Sequence, residues 1–260
     1  VAQWVPLSIE HHGRFRFRPA SSYTFARGDV LVAVCLAELA RIVPAFPLVF
    51  VRRAENAFAV CALMGLEPGV NLFVDPKSGR WLADYVPATL RAYPFRFFPV
   101  KDTQVLCVDQ DSGMLHEGEE GERLFDADGK PSPFLSRYVH FLQQLAADEQ
   151  RTHQACAALH AAGVIVPWAL TVRTDHGDRT LANLFQVNDK ALNAVDGETL
   201  CRLRDSGALA LAYAQRFSAG HVHKLGVLMG QALAAQRPTA SDLGPPVTPS
   251  GELDLSFLTG

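Results

Sequence analysis

No stretch of this 260-residue sequence reaches the roughly 20 consecutive apolar residues that a membrane-crossing helix needs. The most apolar window, residues 30–40, is shorter and is interrupted by Cys35 and Glu38. No signal peptide is visible, although the chain begins at Val1 rather than methionine, which leaves room for a removed upstream segment. A basic excess is missing too. The 24 Lys and Arg stand against 27 Asp and Glu, a formal net charge of -3, and a dedicated nucleic-acid binder needs a cationic surplus to neutralise phosphates. Cysteine is scarce and scattered, with five residues at positions 35, 61, 107, 156 and 201 and no C-x-x-C pair. Four of them sit inside apolar runs. That pattern excludes a disulfide framework or a structural zinc site and fits buried free thiols in a reducing, cytoplasmic compartment. G-x-S-x-G, Walker and dinucleotide-binding glycine signatures are absent, so no cofactor is expected.

What the chain does hold is enough apolar matter for a core. Apolar residues make up 48% of it and charged residues 20%, a balance that folds rather than staying disordered. One domain is expected over residues 1–236, followed by a Pro/Ser/Thr/Gly-rich tail over 237–260 whose LDLSFL run could dock back as a strand or clasp. Asp29 followed by VLVAVCLAELARIV predicts a capped, buried helix stopped by Pro44. LVFVRR and AFAVCALM, joined by Ala54, Glu55 and Asn56, predict an antiparallel hairpin, and WALTVRT with RTLANLFQV predicts a second. NLFVD and RWLADYV read as short strands about a PKSG turn, and FRFFPV and TQVLCVD as two more. Pro87–Tyr93 reads as one or two helical turns. The acidic segment 110–129 reads as loops around a short pairing at Leu124 and Phe125. A helix should run from Ser132 or Pro133 to about Ala162, ended by Gly163, and two more over Glu198–Asp205 and Ala208–Ala235. Together these give an α+β fold, with antiparallel hairpins packed against the long central helix and the C-terminal helices.

Several segments resemble the SapC family of bacterial proteins. They are NLFVD with Gly79 and Trp81, then YVPATLRAYPF from Tyr85 to Phe95, then Leu124, Phe125, Asp126, Gly129 and SPFL from Ser132 to Leu135, then FLQQL and GALALAYAQRFS. The likeness spans roughly Pro6 to Leu228. It implies a bacterial origin and an envelope-related setting, since the family is named for a protein linked to a surface layer. Members are also labelled as peptide-transport components, a label at odds with a chain lacking membrane helices. The resemblance carries no catalytic residue set.

The residues suggest three kinds of site. Phe73, Trp81, Tyr85, Tyr93, Phe95, Phe97 and Phe98 crowd one block, with Arg80, Arg91 and Arg96 among them. Trp, Tyr and Arg dominate recognition hot spots, so Trp81, Tyr85, Arg91 and Tyr93 are the candidate wall of a groove for a peptide or protein partner. The bland alternative is core packing. His176 and Asp178 spell H-x-D, the spacing of two ligands in an iron facial triad, with His221 or His223 as a third. A plain turn satisfies the same residues. The alternating Arg14, Arg16 and Arg18 suggest an edge strand with a wet face, or an anion contact. A calcium loop at DADG fails, because Arg137 stands where the closing glutamate belongs. The first expectation is a non-membrane binding or accessory protein. A metal-dependent oxygenase and a self-assembling surface protein are the alternatives.

Overall fold

The stretch from Leu48 to Leu63 shows how this sequence builds its core. Two strands, β4 (Leu48–Ala54) and β5 (Ala57–Leu63), carry apolar side chains at consecutive positions and pair antiparallel from Leu48–Ala62 to Ala54–Ala57. Unbroken apolar runs suit strands covered on both faces, and Leu48, Val49, Phe50, Cys61 and Ala62 are all fully buried. A computed structural model of the chain describes residues 3–236 apart from Asn56, Asp102, Asp175 and His176. The turn residue Asn56 and the whole 237–260 tail, LDLSFL included, therefore lie outside the described residues.

The hairpin is the centre of a five-stranded antiparallel sheet ordered β10 (Ile165–Thr174), β11 (Gly177–Val187), β4, β5 and β3 (Leu31–Ala33). A second sheet sets β7 (Thr103–Asp109) between β1 (Trp4–Pro6) and β6 (Phe95–Val100). A third sets β2 (Phe15–Phe17) between β8 (Leu115–Glu117) and β9 (Glu122–Arg123). Three single-turn helices punctuate the first half: α1 (Ile9–His12), α2 (Leu39–Ile42) and α3 (Ala88–Arg91). The long helix α4 (Pro133–Ala161) starts at Ser132, whose Oγ accepts from Leu135 N at 3.1 Å. Gly163, at φ +68°, follows its end. Then come α5 (Asp189–Asn193), α6 (Gly197–Asp205), α7 (Ala208–Ser218) and α8 (Val222–Gln236). The architecture is α+β. α4 joins two apolar cores: its Leu135 and Leu142 pack with Phe17, Phe95 and Leu124, and its Ala155, Cys156 and Leu159 pack beneath the large sheet. Among the described residues no helix is long and apolar enough to cross a membrane.

Four local expectations are overturned. Leu31–Ala33 is strand, not helix. Val32 and Val34 are buried at alternate positions, and Met64 N donates to Val30 O at 2.7 Å, so pairing with β5 settles an apolar run that suits strand and helix alike. Helical turns begin only at Leu36. NLFVD and RWLADYV form no ladder, only the isolated bridge Val74–Trp81. The late helix is broken at Ser218, where the hydroxyl donates back to Gln215 O and accepts from Leu48 N. Finally, β2 is an inner strand. The acidic 115–123 segment supplies both its neighbours, and the Arg16 guanidinium donates to Gly118 O and Gly121 O at 2.9 and 3.1 Å.

Candidate functional site

Glu38 organises the candidate cleft. It ends a 3-10 turn, Leu36–Glu38, whose leading N–H groups need partners. Two come from α4, as Thr152 Oγ1 accepts from Leu36 N at 3.0 Å and Asp148 Oδ2 accepts from Ala37 N at 2.8 Å. Glu38 itself takes the Cys35 N–H on Oε1 at 2.9 Å. Its Oε2 accepts from Ala88 N and from the Tyr85 hydroxyl, both at 2.9 Å. The carboxylate, only 5% exposed, thus ties the 3-10 turn to the first turn of α3. Buried charge is tolerated here because three donors meet it.

Tyr85 and Arg91 continue the chain of contacts. Arg91 donates from Nε to Val86 O at 3.1 Å and from a terminal nitrogen to Tyr85 Oη at 3.2 Å. Its guanidinium also lies over the Tyr85 and Phe141 rings, 5.6 and 5.4 Å from their centroids. Arg41 covers the Tyr85 ring at 5.4 Å. Burial, then the Glu38 carboxylate, raises the Tyr85 phenol above its ordinary value, so the hydroxyl stays protonated. These groups, with Leu145 and Arg151 of α4, wall a cleft of about 780 Å³, within the range of small-molecule and peptide-side-chain pockets. Cys35 also faces it. Burial, then the charges of Glu38, Glu149 and Asp148, pushes that thiol up to about 12, so it is no nucleophile at neutral pH.

Tyr85 and Arg91 therefore stand together in one wall, while Trp81 and Tyr93 stand elsewhere. The Trp81 indole packs against Tyr23, Phe46 and Phe73 and donates from Nε1 to Tyr85 O at 2.8 Å. It supports Tyr85 from behind. Tyr93 stacks on Phe25 at 4.2 Å and donates to Asp109 Oδ2 at 2.6 Å. It lines a separate depression of about 670 Å³ with Trp4 and Asp29. Glu38, Arg41, Phe141 and Arg151 were not singled out as site residues from sequence. Glu38 left a trace there as a lone acid inside an apolar run, and Phe141 as the first residue of FLQQL.

Of the H-x-D pair, His176 lies outside the described residues. Asp178 pairs with Arg173 across the β10–β11 hairpin, 3.9 Å from its guanidinium, and is more than half exposed. His221 is half-buried before α8. Burial, then the charge of Lys224, holds its imidazole below the usual value, against a hydrogen bond to the Val43 backbone. His223, next to it, bonds Gly220 O. Among the described residues no three His, Cys, Asp or Glu side chains converge to hold a metal ion.

A protein-family model described as SapC matches residues 7–225. No curated protein and no solved structure matches the chain. The family match runs from just after β1 through the cleft elements into α8 and covers most of the sequence. The chain belongs to the SapC family.

Proposed function

We propose that this chain is a binding protein that holds a segment of a peptide or protein partner in the cleft between α3, α4 and the Leu36–Glu38 turn, in the envelope-related setting that the family resemblance implies. The observation that carries the reading is the cleft wall itself. Arg91 lies over the Tyr85 and Phe141 rings and Arg41 over Tyr85, with Arg151 in the same wall of a cleft of about 780 Å³, and aromatic and arginine side chains lining one hollow are what recognition hot spots are made of. The wall is also held rigid in advance, because Glu38, Asp148 and Thr152 fix its backbone. Preorganisation lowers the ordering cost of binding.

Selection of displayed random peptides on the immobilised full chain tests this. Selected peptides should bind wild type and lose binding to Arg91→Ala and Phe141→Ala, while circular dichroism and melting show both variants folded. Trp81→Ala is a poor probe, because that ring is part of the core. If every selected peptide binds both variants as well as wild type, or none is selected, the cleft is not a peptide site.

A further inference from the structure

The cleft does not end at Tyr85. On the other side of Tyr85 and Arg41 lies a second hollow of about 550 Å³, bounded by Phe73, Leu82 and, from α8, Lys224 and Val227. Arg41 and Tyr85 belong to both linings, so the two hollows form one trough with those side chains at its middle.

The charge of the trough departs from that of the chain, which is -3 overall. Arg41, Arg91, Arg151 and Lys224 face it, against the carboxylates Glu38, Asp84 and Asp148. Two of those carboxylates are already engaged. Glu38 accepts from two backbone N–H groups and the Tyr85 hydroxyl, and Asp148 accepts from Ala37 N and pairs with Arg151 at 3.0 Å. The cations are less committed. Among the described residues the Arg41 and Lys224 side chains make no hydrogen bond or ion pair, and Arg91 uses Nε and one terminal nitrogen, leaving the other open. Between them the walls are apolar: Phe141 and Leu145 on one side of Tyr85, Leu82 and Val227 on the other, the last two 42% and 59% exposed.

We propose that this trough takes an extended acidic peptide segment, with carboxylates flanking an apolar side chain that rests beside Tyr85. The inference rests on the reading of the cleft as a peptide site and adds the chemical class and the extent of the ligand. Guanidinium forks pair with carboxylates through two parallel N–H groups; Arg41 keeps such a fork available, and Arg91 keeps its second terminal nitrogen. A single-stranded nucleic acid would want open aromatic faces for base stacking. Here Arg91 and Arg41 already cover the Tyr85 ring, and Arg91 covers Phe141.

The test uses the full chain and the composition of the displayed peptides it selects. Asp and Glu should be enriched. Changing one acid of a selected peptide to its amide should weaken binding about fivefold, and raising salt should weaken it further. The double variant Arg41→Gln with Lys224→Gln should lose the preference for acids at an unchanged melting temperature. A selected pool without acidic residues that still fails on Arg91→Ala and Phe141→Ala would overturn the acidic class and leave the peptide site standing. A pool indifferent to every cleft variant would overturn both. Tighter binding of an oligothymidylate, lost in the same variants, would replace the peptide with a nucleic acid.

Discussion

Glu38 combines deep burial with three hydrogen-bond donors, one from Cys35 and two from residues 85–88. A bond to a buried charged acceptor contributes about 1.5–3 kcal/mol, and an amide in its place turns donors toward donors. Glu38→Gln should therefore lower stability by about 2 kcal/mol, read as a shift of the urea midpoint at constant slope. An unmoved midpoint would mean the carboxylate does not hold the cleft. The thiols make a second residue-scale prediction. Burial pushes Cys35 and Cys156 up to about 12 from an ordinary 9.0, and raises Cys61 and Cys107 as well. Folded-state values above unfolded ones give stability that is complete below pH 9.0 and is lost as the unfolded chain ionises above it. Urea midpoints should fall as the pH rises from about 9 toward about 12, and Cys156→Ala should flatten that fall. A midpoint constant across the range would contradict the burial of these thiols.

At the scale of elements, the close approach of α8 to β10 depends on Gly226. A Cβ added there would stand 2.6 Å from the Arg173 carbonyl oxygen, a backbone atom that cannot step aside. Gly226→Ala should push α8 outward and destabilise the chain by about 1–3 kcal/mol, with faster amide exchange in α8. Since Lys224 and Val227 lie on the same helix, the second hollow should widen too. Wild-type exchange in α8 of this variant would show that the contact is loose. Elements also show how far the sequence could be read. α4, the β4–β5 and β10–β11 hairpins and the strands β6 and β7 were legible, because each carries its own signal: a cap, a period or a turn. Residues 30–43 were not. Their apolar run suits a buried strand and a buried helix equally, and pairing with β5, more than twenty positions away, decided the matter.

For the molecule as a whole, α4 is the shared support. Leu142 belongs to the smaller core and Leu159 to the larger. Because one helix carries both, Leu142→Ala and Leu159→Ala should each cost about 2–5 kcal/mol and each leave a single unfolding transition. Two separate transitions in either variant would mean that the cores unfold independently. The same helix sets the cleft, since Asp148, Thr152, Phe141 and Arg151 all project from it.

The sequence by itself determined the α+β class, the long helix with its Ser132 cap, the hairpins and the family, because these depend on neighbours in the chain or on motifs quoted whole. It also placed Tyr85 and Arg91 among the recognition candidates. Only the tertiary structure decided that Trp81 supports the wall from behind, that Tyr93 faces another hollow, and that Arg41 and Arg151 join Arg91. Those outcomes turn on contacts such as Ala37 with Asp148, 111 positions apart, and Glu38 with Ala88, 50 apart. No local period encodes such contacts, since they form only when the 3-10 turn, α3 and α4 are packed against one another.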